Sequence, residues 1–330
     1  MNALPWIDAS KAHLLAACAL RWVTETRTGP NSRRSATGGG WSAATLGIQA
    51  HKALEQWVLE SDWRKANPGE LLQQRFHALT ESNSQGVGAA RIIASKLAVR
   101  GRELAHSLNA ARCQEVVPEL FVSDDHRRLR GGMDLVAIGD DVIHIFDLKT
   151  GQGYIRTRPM PPAAHLQLAV YSVLATGKWQ RPATVSILSL DTGLIDDSEL
   201  TAQAAEDIVK TLEEKRKAAV AAAIPPAVAS PETCRWCPLR RACPAHWAAV
   251  EARSITDALT GTLERCTVSA NGHVSVVLQT PEGRQLVTGL SAVPNVVAGD
   301  WVAALRVKQL EDEPNVWHAN VTSAVEPMNL

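Results

Sequence analysis

The stretch that most limits what this chain can fold into is Leu129 to Lys149, which reads LRGGMDLVAIGDDVIHIFDLK. Two apolar runs, Met133–Ile138 and Val142–Leu148, flank Gly139-Asp140-Asp141. A turn signal between two β-type runs predicts a hairpin. Folding it about Asp140/Asp141 sets Asp134 across from Asp147. The side-chain period of two places Lys149 on the same face as Asp147. Like charges set opposite each other destabilise a sheet unless a cation lies between them. The second strand is otherwise apolar on both faces, as in a strand covered from both sides. Two carboxylates and a lysine on such a strand suit a divalent metal.

The rest of the chain supplies the surroundings. Ser10–Trp22 has helical spacing, with Asp8 or Ser10 as its N-cap, and carries Cys18. Gly29–Gly40 reads as a basic loop. Within Leu46–Glu60, Leu46, Ala50, Leu54 and Val58 recur at helical spacing, with Gly47, His51 and Glu55 alongside. Further helices are predicted over Leu71–Leu79 and Ala89–Ala111. Glu115–Ser123 reads as a strand leading into the hairpin. After Lys149 comes a loop with Arg156 and Arg158, candidates for phosphate contacts. Ala163–Ala175 is a helix that sets Gln167 and Tyr171 on one face, four residues apart. Thr184–Leu190 is a strand and Thr201–Ala223 a long charged helix. The order predicts a mixed α/β domain with a small central sheet flanked by helices, spanning residues 1–252.

A Pro-rich joint then delivers CRWCPLRRACP, in which Cys234, Cys237 and Cys243 follow a C-x2-C-x5-C pattern. Three cysteines held in a proline-bracketed turn suit a metal better than a core. The pattern is one ligand short, and Cys18, Cys113, Cys266 and His246 are the candidates for the fourth. A zinc site completed by His246 is the rival to an iron–sulfur cluster. From about Ser254 the chain turns β-rich, with strand candidates at Leu259–Cys266, His273–Gln279, Gln285–Thr288, Trp301–Lys308 and Val316–Thr322. Five short strands predict a small OB-like β-barrel over residues 253–330, with Trp301 and Trp317 able to stack bases.

At 330 residues and 45% hydrophobic content the chain can bury a core and form two domains. A formal net charge of zero excludes a global polycation, so nucleic-acid binding must rest on local patches. The N-terminal residues lack the pattern of a signal peptide, and no apolar run reaches membrane-spanning length. A cytoplasmic protein with no membrane partner is expected. In that setting six cysteines point to metal ligands or buried thiols before disulfides.

His51 in G-x3-H, Asp134 in GGMD, Asp147 and Lys149 in DLK, and Gln167-x3-Tyr171 together resemble the RecB-like branch of the PD-(D/E)XK nucleases. Cys18 with Cys234, Cys237 and Cys243 resembles its iron–sulfur variant, as in AddB-type nuclease domains and CRISPR-associated RecB-like exonucleases. The resemblance covers roughly residues 8 to 250. It implies a restriction-endonuclease-like core in which His51, Asp134 and Asp147, with the Leu148 carbonyl, bind Mg2+ or Mn2+. It implies that Lys149 works on the attacking water, that Gln167 and Tyr171 position the strand or the surroundings of Lys149, and that Glu119 is a further acidic residue. The four cysteines would hold a structural 4Fe–4S cluster. The implied activity is a metal-dependent deoxyribonuclease acting on single-stranded DNA or DNA ends, in repair or recombination. No G-x4-GK[ST] segment is present, so unwinding would need a partner helicase. The rival readings are a non-catalytic DNA-binding or assembly subunit and a zinc-clasped accessory module.

Overall fold

The computed structural model describes residues 4–27, 43–81, 87–151, 160–197, 199–293 and 296–328. The chain forms two compact units, one of Met1–Ala16 with Glu25–Ala221 and one of Ala17–Thr24 with Ala222–Leu330. The main division falls near residue 221 rather than 252, because the cysteine-bearing segment groups with the β-rich end. Among the described residues no helix is long and apolar enough to cross a membrane.

The first unit begins with β1 (Ile7–Asp8) and α1 (Ala12–Ala17). The helix predicted over Ser10–Trp22 is interrupted at Cys18, and α2 (Ala19–Arg27), most of which belongs to the second unit, resumes beyond it. Then come α3 (Ala43–Leu59), α4 (Pro68–Thr80) and α5 (Val87–Ala110). The sheet strands β2 (Glu115–Asp124), β3 (Leu129–Ile138) and β4 (Ile143–Lys149) follow, then α6 (Pro162–Trp179), β5 (Ala183–Ser189), β6 (Gly193–Asp196) and α7 (Ala202–Ala221). The short strands β1 and β6 escape sequence reading, since two to four residues carry no measurable period.

The sheet runs β1-β3-β4-β5-β6, with β2 also on β3. The β2–β3, β3–β4 and β5–β6 pairs are antiparallel, while β1–β3 and β4–β5 are parallel. The hairpin has the register read from its turn, with Leu135 opposite Phe146 and Ile138 opposite Ile143. The ladder stops at Leu135, one step short of Asp134.

Period-two alternation makes this sheet a divider between two cores. Leu135, Ala137, Phe146, Leu148 and Leu188 pack with Trp57, Phe76, Leu97 and Leu104 of α3 to α5. Val136, Ile143, Ile145 and Ile187 are fully buried from the alternate positions. On α3 the expected stripe of Leu46, Ala50, Leu54 and Val58 is buried. His51 follows Ala50 directly and so stands at the edge of that stripe.

In the second unit, α8 (Pro231–Cys234) and α9 (Pro244–Glu251) precede a seven-stranded sheet. Its strands are β7 (Ala258–Val268), β8 (Val274–Thr280), β9 (Gly283–Leu290), β10 (Trp301–Leu305), β11 (Lys308–Gln309), β12 (Val316–His318) and β13 (Ala324–Pro327). The order β11-β12-β9-β8-β7-β10-β13 is an open path, and among the described residues its end strands do not pair. The curled, half-barrel sheet agrees in part with the OB-like expectation, with seven strands on an open path in place of five. Its extra members arise where the chain breaks at Arg306, which adopts a left-handed φ of 59°, and where Ala324–Val325 returns to pair with β10. Gly272 takes the positive φ its Asn-Gly hairpin needs. Leu263, Val276, Leu278, Val287, Val302 and Val325 form the core. Trp317 joins that core with its Nε1–H donated to Gln285, so it is not available to stack a base; Trp301 remains half exposed.

Candidate functional site

A gap in the sheet creates the first site. β3 is paired along one edge by β2, and along the other by β1 at Leu129–Arg130 and by β4 from Leu135 onward. Between those partners, residues 131–134 are left open on that edge. The β2 pairing also passes over Asp134, joining Pro118 to Leu135 and Leu120 to Met133 while Glu119 takes a left-handed φ of 48°. A non-glycine residue in that region is strained and held by its surroundings.

Side chains and backbone groups fill the gap. The Asp134 carboxylate accepts the Leu148 amide at 2.6 Å, which replaces a missing ladder bond and fixes the carboxylate. The Tyr171 hydroxyl donates to the Gly132 carbonyl at 2.5 Å, and Gln167 donates to the Tyr171 oxygen at 2.8 Å. Lys149 in turn donates to the Gln167 side-chain oxygen at 3.0 Å. Gly131 is required for this arrangement, since a Cβ there would meet the Tyr171 ring at 2.7 Å. Gly47, one turn before His51, lies against Thr150 so closely that a Cβ would come within 2.9 Å of its hydroxyl.

The polar atoms converge. His51 Nδ1 lies 3.2 Å from Asp134 Oδ1 and 3.7 Å from Glu119 Oε1. Among the described residues, His51, Glu119 and Asp134 are the group whose potential ligand atoms all lie within 4.8 Å of one another. Beside them the buried Asp147 carboxylate is ion-paired to Lys149 Nζ at 2.6 Å. Burial, then the charge of Asp134, pushes the Asp147 carboxyl up to about 6 against the opposing pull of Lys149. Burial opposes charge on His51, but Asp134, Glu119 and Asp147 outweigh it and raise its pKa. Burial also raises Glu119, helped by Asp134. Nitrogen and carboxylate donors around one point suit a hard or borderline divalent cation.

These groups line a cleft of about 930 Å3. It is also lined by Asp8 and Ser10, which sequence reading assigned only to helix capping, and by Thr150. Ser10 donates to Asp8 at 3.0 Å, and Asp8 pairs with Arg130 at 3.3 Å. No period or motif marks Asp8; only the parallel pairing of β1 with β3 brings it here. Arg156 and Arg158 lie outside the described residues.

The second site is in the other unit. Its Ala17–Thr24 segment is tied to the Pro-rich joint, with the Leu20 amide donating to the Pro226 carbonyl and Arg21 to the Thr233 carbonyl at 2.7 Å. This seats Cys18 with the late trio. Burial raises the Cys234 thiol, with Cys243 and Cys18 adding to it, and burial likewise raises Cys237, with Cys234 and Cys18 adding. The four thiols are thus electrostatic neighbours. The other candidates for the fourth position are placed differently. Cys113 lies in the first unit's core and Cys266 is exposed on β7. His246 is buried beside Trp247, and neither ring nitrogen has a hydrogen-bond partner.

A family model for the PD-(D/E)XK nuclease superfamily matches residues 8–244. No curated protein matches the chain. Solved structures similar to it include an Eubacterium rectale protein described as "Putative exonuclease", 13% identical over 65% of this chain and 80% of that one, with a TM-score of 0.42. The protein SSO0001 is 16% identical over 60% of this chain and 96% of that one, with a TM-score of 0.24. VC1899 from Vibrio cholerae is 14% identical over 53% of this chain and 57% of that one, with a TM-score of 0.22. These three likenesses carry no functional assignment.

Proposed function

The chain belongs to the PD-(D/E)XK nuclease superfamily, and from that premise we propose that it is a divalent-metal-dependent deoxyribonuclease. In this reading it is an exonuclease of the RecB-like branch, hydrolysing phosphodiester bonds in single-stranded DNA or at DNA ends. The observation that carries the proposal is the convergence of His51, Glu119 and Asp134 beside the buried Asp147–Lys149 pair.

His51, Asp134 and Asp147, with Glu119 and the Leu148 carbonyl, would hold Mg2+ or Mn2+. The bound cation neutralises the facing carboxylates, polarises a phosphodiester and makes a water more acidic. Because His51, Glu119 and Asp147 hold their protons more firmly than usual, a cation held there would displace protons from them. Lys149 Nζ, fixed between Asp147 and Gln167, orients the attacking water and offsets charge growing on the phosphoryl oxygens. Tyr171 anchors Gln167 to the backbone of β3, which holds the ammonium in place.

Cys18, Cys234, Cys237 and Cys243 would carry a structural 4Fe–4S cluster. Electrostatic coupling of Cys234 to Cys18 and Cys243, and of Cys237 to Cys18 and Cys234, supports a shared site, for which zinc is the alternative occupant. Iron and acid-labile sulfide in anaerobically purified protein, with absorbance near 400 nm, are expected; stoichiometric zinc in colourless protein contradicts the cluster. The nuclease is tested with 5′- and 3′-labelled single- and double-stranded DNA in Mg2+ or Mn2+. Asp147→Ala and Lys149→Ala proteins should stay folded and lose cleavage. Unchanged cleavage by both would end the proposal.

A further inference from the structure

The loop between Cys234 and Cys237 presents Trp236 to solvent, 55% exposed, beside a concentration of arginines within the second unit. The Arg306 guanidinium lies 5.3 Å from the Trp236 ring centroid and that of Arg235 lies 5.8 Å from it. Arg306 is held there by its backbone surroundings. It adopts a left-handed φ of 59°, its side chain donates to the Thr322 carbonyl, and its own carbonyl accepts from Ser323 and Asn320. A strained residue pinned by the 320–323 turn is a preorganised one.

Arg240 adds a second, independent observation. It is 3% exposed and donates through Nη1 to the Arg235 carbonyl at 2.8 Å, but its buried Nη2 has no hydrogen-bond partner. Burial and then the charge of Arg306 lower its pKa to about 10, so the two guanidiniums are close, like-charged neighbours. The nearby carboxylates are few, with Glu326 3.8 Å from Arg241 and Asp257 a further influence on Arg240. A buried, incompletely paired guanidinium next to a second one makes this patch electropositive, which favours an anionic ligand. A flat exposed ring next to that charge adds a surface on which a base can stack.

We propose that Trp236 and Arg306 form a binding site for single-stranded polynucleotide, with one base stacked on Trp236 and an adjacent phosphate met by the Arg306 guanidinium, while the buried Arg240 adds positive charge without touching the ligand. The choice of ligand class rests on the nuclease reading, while the site does not take part in cleavage. Because Trp236 lies between two of the cysteines, this site also depends on whatever those thiols hold.

Full-length protein, fluorescein-labelled oligothymidylate and excess chelator of divalent cations make the test, read by fluorescence anisotropy. Trp236→Ala should weaken binding by roughly five- to a hundredfold, the range for losing one base–aromatic stack, and Trp236→Phe should restore most of it. Arg306→Gln, which leaves the cysteine loop untouched, should weaken binding and reduce its salt dependence. Iron or zinc content and thermal unfolding must match wild type for each variant. Wild-type affinity in both Trp236→Ala and Arg306→Gln overturns the site. Equal losses for oligothymidylate and heparin in Trp236→Ala overturn the stacking role. Since binding is read without divalent cations, cleavage that survives Asp147→Ala and Lys149→Ala would defeat the nuclease reading and leave this result standing.

Discussion

The carboxylate cleft and the cysteine cluster are two solutions to the problem of gathering ligands. The cleft is assembled by a sheet and one helix within a single unit, and three of its ligand atoms already lie within 4.8 Å of each other. A strand gap, a glycine pair and a hydrogen-bonded Lys-Gln-Tyr chain hold it. The thiols come from opposite ends of the sequence, and burial keeps Cys234 and Cys237 protonated. Backbone pairing presets the first site, whereas under the proposed function the thiols of the second would have to lose their protons to bind a metal. Under the proposed function, a metal would be a reagent in one region and part of the fold in the other.

The sharpest break in this contrast would come from Asp147→Asn. Cleavage of labelled DNA should fall by about 10^3-fold or more, with the melting temperature little changed; a large loss of melting temperature would show that the cleft is as structural as the thiols. Cys237→Ala should do the reverse, destabilising the protein by on the order of 4 kcal/mol in denaturant titration. A variant as stable as wild type would make the cluster dispensable for folding.

Acid should separate the regions by about 2 kcal/mol in chelated protein. A carboxyl with a raised folded pKa contributes stability below its unfolded value and loses it as pH rises through the folded one. For Asp147 the loss runs from about pH 4 to above pH 6, and the raised His51 and Glu119 act in the same direction. The thiols, raised further from their alkaline range, contribute nothing there. Thermal melts at several pH values with chelator, for wild type and Asp147→Asn, check this; identical slopes would contradict it. The smallest effect is that of Gln167→Ala, expected to slow cleavage about tenfold through a less constrained Lys149. If the rate is unchanged, Lys149 is held by something other than Gln167.

Much of the cleft was legible from residues alone, because a hairpin turn fixes register and period two then fixes faces. Asp134, Asp147 and Lys149 are of this kind, whereas His51, Gln167 and Tyr171 could be placed on helix faces but took their roles only from the family resemblance. What escaped depends on pairings between segments distant in sequence. Asp8 enters through a two-residue strand, and the left-handed backbone at Glu119, a residue the resemblance did point to, is marked by no propensity. In the β-rich unit, periodicity found the strands, but their order and the failure to close depend on long-range pairing that composition does not encode.

The segment carrying Cys18 belongs to the second unit although both its sequence neighbours lie in the first. No single cut of the gene separates the two units, so a truncated protein ending near residue 221 would leave that helix without its companions. On the ribosome the same piece emerges early and must wait for nearly the whole of the chain before the rest of its unit exists.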